Sequence, residues 1–145
     1  MTDVILHSEG KLYDPKHLRP FDLALALQGH PLATGNGCEV SHIFLSDQQN
    51  YLTVRNWLRY LECGYWETRS LPIQDKDGTG DHLYLAPLAV KAGRALHIGD
   101  VIETCPWYGH GKYWEREHIQ KPSDAAMLVE EVGYARYGKL WRFAS

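Results

Sequence analysis

Residues 19–40, RPFDLALALQGHPLATGNGCEV, contain the pattern that decides the fold. Apolar residues recur after the first proline with roughly helical spacing, and Gly29 followed by Pro31 ends the run, because proline cannot continue a helix. The Asn36-Gly37 pair then predicts a tight turn leading into a strand. The stretch therefore predicts a short amphipathic helix, a turn and the first strand of a small sheet. In this helix we expect Phe21, Leu23, Leu25 and Leu27 to anchor the core.

The residues that follow predict more strands. Apolar side chains at Val40, Ile43 and Leu45 favour a strand over residues 39–45. Residues 51–73 have some helical spacing, but their many aromatic and β-branched side chains favour strands. A polar loop, DKDGTGD at 75–81, then separates them from a short strand at 82–86.

A second unit begins near Leu88. Its segment AGRALHIGDVIET, with a Gly99-Asp100 turn between apolar residues, fits a strand that bends sharply, as in a small SH3-like barrel. We expect a hairpin over 107–119, a helix or a strand over 125–131, and a closing strand at 139–143. The predicted fold is α+β and β-rich. A short N-terminal helix packs on an antiparallel sheet in residues 1–87, and a small SH3-like barrel-type unit follows in residues 88–145, either as a separate domain or around one shared core.

Composition narrows the function classes only partly. The chain has 145 residues, 44% of them hydrophobic, and a net charge of −3. Domains that bind the phosphate backbone of nucleic acids usually carry a basic excess, so this charge disfavours a nucleic-acid binder without excluding one. No run approaches the roughly 18 apolar residues of a membrane span, so we expect no membrane partner. Three cysteines form no disulfide pattern, which favours a reducing cytoplasm.

Two motifs carry a resemblance to a known group of proteins. The first is FDLALALQGHPLAT at 21–34, followed by a glycine turn and, later, by LYLAP at 83–87; the second is GRALHIGDVIE at 93–103. Together they resemble uncharacterised small accessory proteins encoded by bacteriophages and prophages. The resemblance covers about half the chain, and its motifs are structural. It implies phage origin, a β-rich fold and action in the cytoplasm of a bacterial host.

Two segments combine aromatic and basic residues, the composition of protein-binding anchors and of base-stacking surfaces. Alternate aromatic residues in each segment also suit a core, which is the competing interpretation for the tryptophans. The predicted binding residues of the first segment are Arg55, Trp57, Arg59, Tyr60, Trp66 and Arg69. Those of the second segment are Trp107, Tyr108, Lys112, Trp114 and Arg116.

Other constellations give weaker signals. The pairs Cys38/His42 and Cys105/His110, with His118 in addition, have spacings only loosely compatible with zinc, so a half-buried Cys38 and surface histidines are the better interpretation. The loop at 75–81 contains three aspartates but lacks the remaining features of an EF-hand. Cys63 or Cys105 with a nearby histidine would meet the minimum requirement of a thiol-dependent enzyme, but this signal has almost no specificity, because any cysteine and any histidine would meet it. No G-x-S-x-G, P-loop or G-x-G-x-x-G motif occurs.

The sequence therefore predicts a phage-encoded, non-enzymatic binding protein without a cofactor. Its expected partner is a host protein or protein complex, and by analogy with phage accessory proteins it would block a defence system by occlusion, as anti-CRISPR proteins do. Two alternatives stay open at this point. One is a sponge that sequesters a small nucleotide signal, and the other is a zinc- or thiol-dependent enzyme.

Overall fold

The computed structural model describes residues 10–45, 51–60, 63–74, 78, 82–106, 112–129 and 138–144. At positions 45, 59, 60, 63 and 129 it describes the backbone alone. The chain divides into two compact units, Met1–Pro87 and Leu88–Ser145, which we call unit 1 and unit 2. The loop predicted at 75–81, apart from Gly78, lies outside the described residues.

The described part of unit 1 forms one six-stranded sheet in which every neighbouring pair is antiparallel. The order across the sheet is β1-β6-β2-β3-β4-β5. The strands are β1 (Arg19–Pro20), β2 (Leu32–Thr34), β3 (Glu39–Leu45), β4 (Tyr51–Tyr60), β5 (Cys63–Pro72) and β6 (Leu83–Leu85). Residues 51–72, whose helical and strand patterns compete in the sequence, thus form a long β-hairpin, as their aromatic and β-branched content predicts.

One short helix, α1 (Leu23–Leu27), lies against this sheet. The Asp22 carboxylate caps its first turn by accepting a hydrogen bond from the Leu25 amide at 3.1 Å. Ala26 is buried and Leu25 packs against the core, whereas Leu23 and Leu27 are exposed. The prediction that every leucine of this segment anchors the core is therefore wrong, because five helical residues present only one narrow face to the sheet.

The core of unit 1 lies on one face of the sheet. Its buried members alternate along the strands, as expected for a sheet with one face packed and one face outward. They are Ala26, Leu32, Val40, Leu52, Val54, Leu71, Leu83 and Leu85.

A β-bulge interrupts the pairing of β3 with β4 between Ser41 and Phe44. Ser41 lies opposite Arg55 and Phe44 lies opposite Thr53, so three steps along β3 match two steps along β4. His42 takes up the extra residue with a left-handed φ of 52°. As a result Ile43 packs against the same core as Val40, although a regular strand would place them on opposite faces.

In the described part of unit 2, four strands form a sheet of order β10-β9-β12-β11, and a separate hairpin pairs β7 with β8. The pairing of β11 with β12 is parallel and the others are antiparallel. The strands are β7 (Ala89–Lys91), β8 (Arg94–Leu96), β9 (Val101–Pro106), β10 (Glu115–His118), β11 (Leu128–Val129) and β12 (Lys139–Phe143). Leu96, Ile102, Ile119 and Trp141 form its buried core.

The β-rich, largely antiparallel fold is confirmed, but the SH3-like barrel is not. Among the described residues of unit 2, β10 pairs only with β9 and β11 only with β12, so the sheet stays open. The bend expected at Gly99 is present, with a φ of 99°. Of the segment expected as a helix or a strand over 125–131, residue 125 ends a 3₁₀ turn, Pro122–Ala125, and Leu128–Val129 form β11, while residues 130 and 131 lie outside the described residues.

No helix in the described ranges has the length and apolar character needed to cross a membrane.

Candidate binding surface

The register of β3, β4 and β5 places a defined set of side chains on the face of the sheet opposite the core. Arg55 lies opposite Thr68 on β5, and Thr53 lies opposite both Ser70 on β5 and Phe44 on β3. Directly opposed residues share a face, and alternate residues along each strand share it too. We call this surface the outer face; its members are Ser41, Phe44, Tyr51, Thr53, Arg55, Trp57, Trp66, Thr68 and Ser70.

The outer face presents aromatic rings to solvent beside a guanidinium group. The Phe44 side chain is 62% exposed and Tyr51 is 41% exposed. Arg55 is half-buried, and its Nη1 donates a hydrogen bond to Thr68 Oγ1 at 3.4 Å. Exposed aromatic side chains on the same face as an arginine that is hydrogen-bonded to a neighbouring hydroxyl group have the composition of a protein-binding hot spot.

Trp57, which the sequence placed at the contact surface, is only 6% exposed. It lies opposite Trp66 in the hairpin, and the two rings meet edge to face with centroids 5.4 Å apart. A Cβ atom added at either Gly10 or Gly64 would overlap the Trp57 ring, so these glycines close over it. Trp57 therefore packs inside unit 1 and is no surface anchor, in contrast to the prediction, whereas Trp66 is half-buried at the edge of the outer face.

The two arginines that the sequence grouped together lie on opposite faces of the hairpin. Arg69 lies opposite Val54, a core residue, and its Nη1 donates to Asn56 Oδ1 at 2.8 Å. Asn56 is fully buried, and its Nδ2 donates to the Glu39 carbonyl at 3.2 Å and to the Trp57 carbonyl at 3.3 Å. Asn56 thus ties β3, β4 and β5 together, and Arg69 acts with it. The side chains of the predicted binding residues Arg59 and Tyr60 lie outside the described residues.

The second aromatic and basic segment is only partly described, since Trp107 and Tyr108 lie outside the described residues. The Arg142 guanidinium stacks on the half-buried Trp114 ring at 4.0 Å, and Arg142 Nε donates to Glu103 Oε1 at 2.8 Å. Trp114 and Arg142 therefore contact each other within unit 2. Lys112 and Arg116 are exposed, and Arg116 lies opposite Glu103 in the β9–β10 pair.

The candidate metal ligands do not come together where the structure describes them. Cys38 and Cys105 are buried free thiols, whereas His42 and His118 are exposed. Within the described ranges no group of three His, Cys, Asp or Glu side chains forms a site for a metal ion. His110 and the aspartates of the 75–81 loop lie outside those ranges, as does the side chain of Cys63.

A cavity of about 510 Å³ opens in unit 1, and its lining includes Ser41 of the outer face. Its lining includes Tyr13, His30 and Glu39. Burial and, second to it, the negative charge of Glu39 raise the pKa of Tyr13 to about 12, so the phenol is neutral at physiological pH. Glu39 Oε1 accepts a hydrogen bond from the Lys11 amide at 2.8 Å.

Sequence reasoning missed Phe44, Tyr51 and the cavity. The period-2 pattern of β3 gives Phe44 the same face as Val40, and only the bulge at His42 turns Phe44 outward. The cavity residues come from three separated segments, and no motif connects them.

A comparison with protein families, with curated proteins and with solved structures finds no match to this chain.

Proposed function

We propose that this chain is a phage-encoded, non-enzymatic protein that binds a host protein in the bacterial cytoplasm and blocks a defence system by occlusion. The observation that carries the proposal is the exposure of Phe44 and Tyr51 beside Arg55 on one face of the sheet. The phage origin and the defence target rest on the resemblance of residues 21–34, 83–87 and 93–103 to phage accessory proteins.

The outer face suits a binding surface because two of its side chains, Arg55 and Trp66, already make contacts within the hairpin. Arg55 is bonded to Thr68, and the Trp57–Trp66 contact supports the same hairpin. Side chains that are ordered before binding lose less conformational entropy when the complex forms. Aromatic and arginine side chains dominate the energetics of measured interfaces, and truncation of such an anchor costs about 2 kcal/mol or more.

The proposal is tested by immobilising wild type and matched variants and comparing the proteins that each captures from the lysate of a bacterial host. Phe44→Ser and Arg55→Glu remove an anchor and reverse a charge on the outer face, at positions where little of the core depends on the side chain. Tyr113→Ser is the matched control, because Tyr113 is equally exposed, at 68%, but belongs to unit 2. We expect wild type and Tyr113→Ser to retain the same host protein, and the outer-face variants to lose it.

The affinity of the purified protein for the captured host protein then gives the contribution of each side chain to binding. Loss of an anchor worth about 2 kcal/mol weakens binding by about 30-fold. The proposal fails if Phe44→Ser and Tyr113→Ser bind the captured protein equally, or if wild type captures no host protein at all.

A further inference from the structure

The two edges of the sheet in unit 1 differ in length and in the residues that protect them. At one edge β1 has two residues, and the second is Pro20, which cannot donate a hydrogen bond. At the other edge β5 runs over ten residues, and among the described residues it pairs with β4 alone. Short strands and prolines commonly protect a sheet against pairing with another chain. The long strand β5, whose only proline is its last residue, has neither protection.

The pairing with β4 fixes which backbone groups of β5 point away from the sheet. In an antiparallel pair, the backbone groups of alternate residues point towards the partner strand, and those of the residues between them point away. Pro72 lies opposite Tyr51 and has no N–H, which fits a position that makes no bond to β4. The hairpin gives the same phase, because Tyr60 and Cys63 are paired with two residues between them and so form its first hydrogen-bonded pair. The residues whose N–H and C=O groups point away from β4 are therefore Gly64, Trp66, Thr68 and Ser70.

Side chains along β5 are exposed on both faces of the sheet. On the outer face, Thr68 and Ser70 are exposed. On the opposite face, which carries the core and which we call the core face, Glu67 is exposed and Tyr65 is 53% exposed. A strand that adds to this edge therefore meets exposed side chains on either side of its backbone.

The charges of β5 make the strand complementary to itself. Glu67 and Arg69 carry opposite charges on the core face, with Thr68 between them. In an antiparallel pair of two β5 strands centred on Thr68, Glu67 of each copy lies opposite Arg69 of the other. The same register places Thr68 opposite Thr68 and Trp66 opposite Ser70, so the backbone groups that point away from β4 meet each other. A guanidinium group has five donors, so the bond from Arg69 to Asn56 is compatible with a contact to Glu67 of a second copy.

Neighbouring registers of the two strands lose this complementarity. A slip of one residue would oppose outward-pointing backbone groups with groups that are bonded to β4. A slip of two residues centres the pair on Glu67 or on Arg69, which brings two carboxylates or two guanidinium groups directly opposite each other. Directly opposed like charges destabilise a strand pair. The charges of β5 therefore favour the register centred on Thr68.

From these observations we propose that β5 pairs with β5 of a second copy of this chain, antiparallel and centred on Thr68, to form a symmetric dimer. Two Glu67–Arg69 contacts, related by the twofold axis, fix the register. The two six-stranded sheets continue into one sheet, and because opposed residues of an antiparallel pair lie on the same side, the two outer faces lie side by side. The pairing does not use Phe44 or Tyr51, so it is independent of the host-protein binding proposed above.

Sedimentation velocity over a range of protein concentrations measures the dimerisation, and two charge variants test the register. Glu67→Arg places like charges opposite each other at both contacts, so we expect it to weaken dimerisation at least about tenfold. Glu115→Arg is the matched control, because it makes the same change of charge at an exposed strand position in unit 2, and it should dimerise as wild type does. A wild type that sediments as a monomer up to its solubility limit, or equal dimerisation of the two variants, would overturn the proposal.

Amide hydrogen exchange, followed by NMR under conditions where sedimentation shows monomer or dimer, tests the edge residue by residue. We expect the amides of Trp66, Thr68 and Ser70 to exchange rapidly in the monomer and slowly in the dimer. The amides of Glu67 and Arg69 point towards β4 and should be protected in both. Slow exchange of the Thr68 amide in the monomer would show that the edge is already covered within one chain, and rapid exchange in the dimer would show that the copies meet elsewhere; either result contradicts the proposal.

Discussion

Replacement of Asn56 by alanine tests the network that holds the three strands of the outer face together. Asn56 is fully buried and bonds to three groups on three strands. Asn56→Ala removes these bonds without adding volume. The Arg69 guanidinium and the carbonyl oxygens of Glu39 and Trp57 each lose one hydrogen-bond partner.

The expected loss of stability is about 3 kcal/mol. The hydrogen bond from Arg69 to Asn56 Oδ1, at 2.8 Å, involves a charged donor and contributes about 1.5–3 kcal/mol. We take the lower end, because Arg69 is only half-buried and water can replace part of the interaction. The two bonds from Nδ2, at 3.2 and 3.3 Å, are neutral and contribute about 0.75 kcal/mol each. The sum is a large fraction of the 5–15 kcal/mol that stabilises a typical domain.

Urea denaturation, followed by far-ultraviolet circular dichroism, measures this change in the free energy of unfolding. Ser70→Ala is the matched control, since Ser70 lies on the neighbouring strand with an exposed side chain, and we expect a change within about 0.5 kcal/mol. A double-mutant cycle with Arg69→Met should give a coupling energy of about 1.5 kcal/mol. A loss below about 1 kcal/mol for Asn56→Ala, or a loss equal to that of Ser70→Ala, would refute the network.

Three further predictions concern packing and titration. Gly64→Ala should destabilise the protein by about 1–3 kcal/mol in thermal unfolding, because the new Cβ would overlap the Trp57 ring; an unchanged Tm would contradict the packing described here. Tyr13 stays neutral in the folded protein up to about pH 12, but it ionises near pH 10 in the unfolded chain. Its contribution to stability is therefore complete below pH 10 and is lost as the pH rises through about 12. In a tyrosinate absorbance titration Glu39→Gln should therefore lower the pKa of Tyr13 partway towards 10, while an unchanged pKa would show that the charge of Glu39 has no part in it. Hydrogen bonds from two backbone amides, that of Gln120 first and that of Lys121 second, lower the pKa of Asp124. The contribution of Asp124 to stability is therefore present above pH 3.8 and is lost as the pH falls through the folded-state pKa. Asp124→Asn should flatten the acid side of the curve of unfolding free energy against pH, and a curve identical to that of wild type would count against this cap.

Local signals in the sequence predicted the features that depend on neighbouring residues. Asn36-Gly37 predicts a turn, and Gly37 has the left-handed φ of 89° that such a turn requires. The aromatic and β-branched residues of 51–72 predict strands, and β4 and β5 form there. Both features follow from backbone preferences within a few residues, so no knowledge of the tertiary fold is needed.

The burial and the facing of individual strand residues could not be predicted in the same way. Trp57 and Trp66 lie opposite each other and share a face, yet Trp57 is buried because Gly10, 47 positions away, closes over its ring, whereas Trp66 is half-buried. Phe44 faces outward because a bulge at His42 shifts its register, and the bulge is fixed by pairing with β4. These outcomes depend on contacts between residues far apart in the chain, which neither periodicity nor propensity contains.

The dependence on contacts between distant residues also explains why the candidate binding residues could be predicted only in part. The sequence identified Arg55 and Trp66 as binding residues, and both belong to the outer face. It also grouped Arg69 with them, because strand spacing alone does not show that Val54 and Arg69 share the core face. The sequence pattern assigns polar residues to the solvent-exposed surface, so it cannot identify a buried polar residue such as Asn56.

The most direct test of the proposed function is hydroxyl-radical footprinting of the protein with and without the captured host protein. Phe44 and Tyr51 are exposed aromatic residues of the outer face, and Tyr113 is an exposed internal reference in unit 2. If the outer face is the binding surface, the partner strongly reduces the labelling of Phe44 and Tyr51 and leaves that of Tyr113 unchanged. Unchanged labelling of Phe44 and Tyr51 in the complex, with protection of Tyr113 instead, would contradict the proposal.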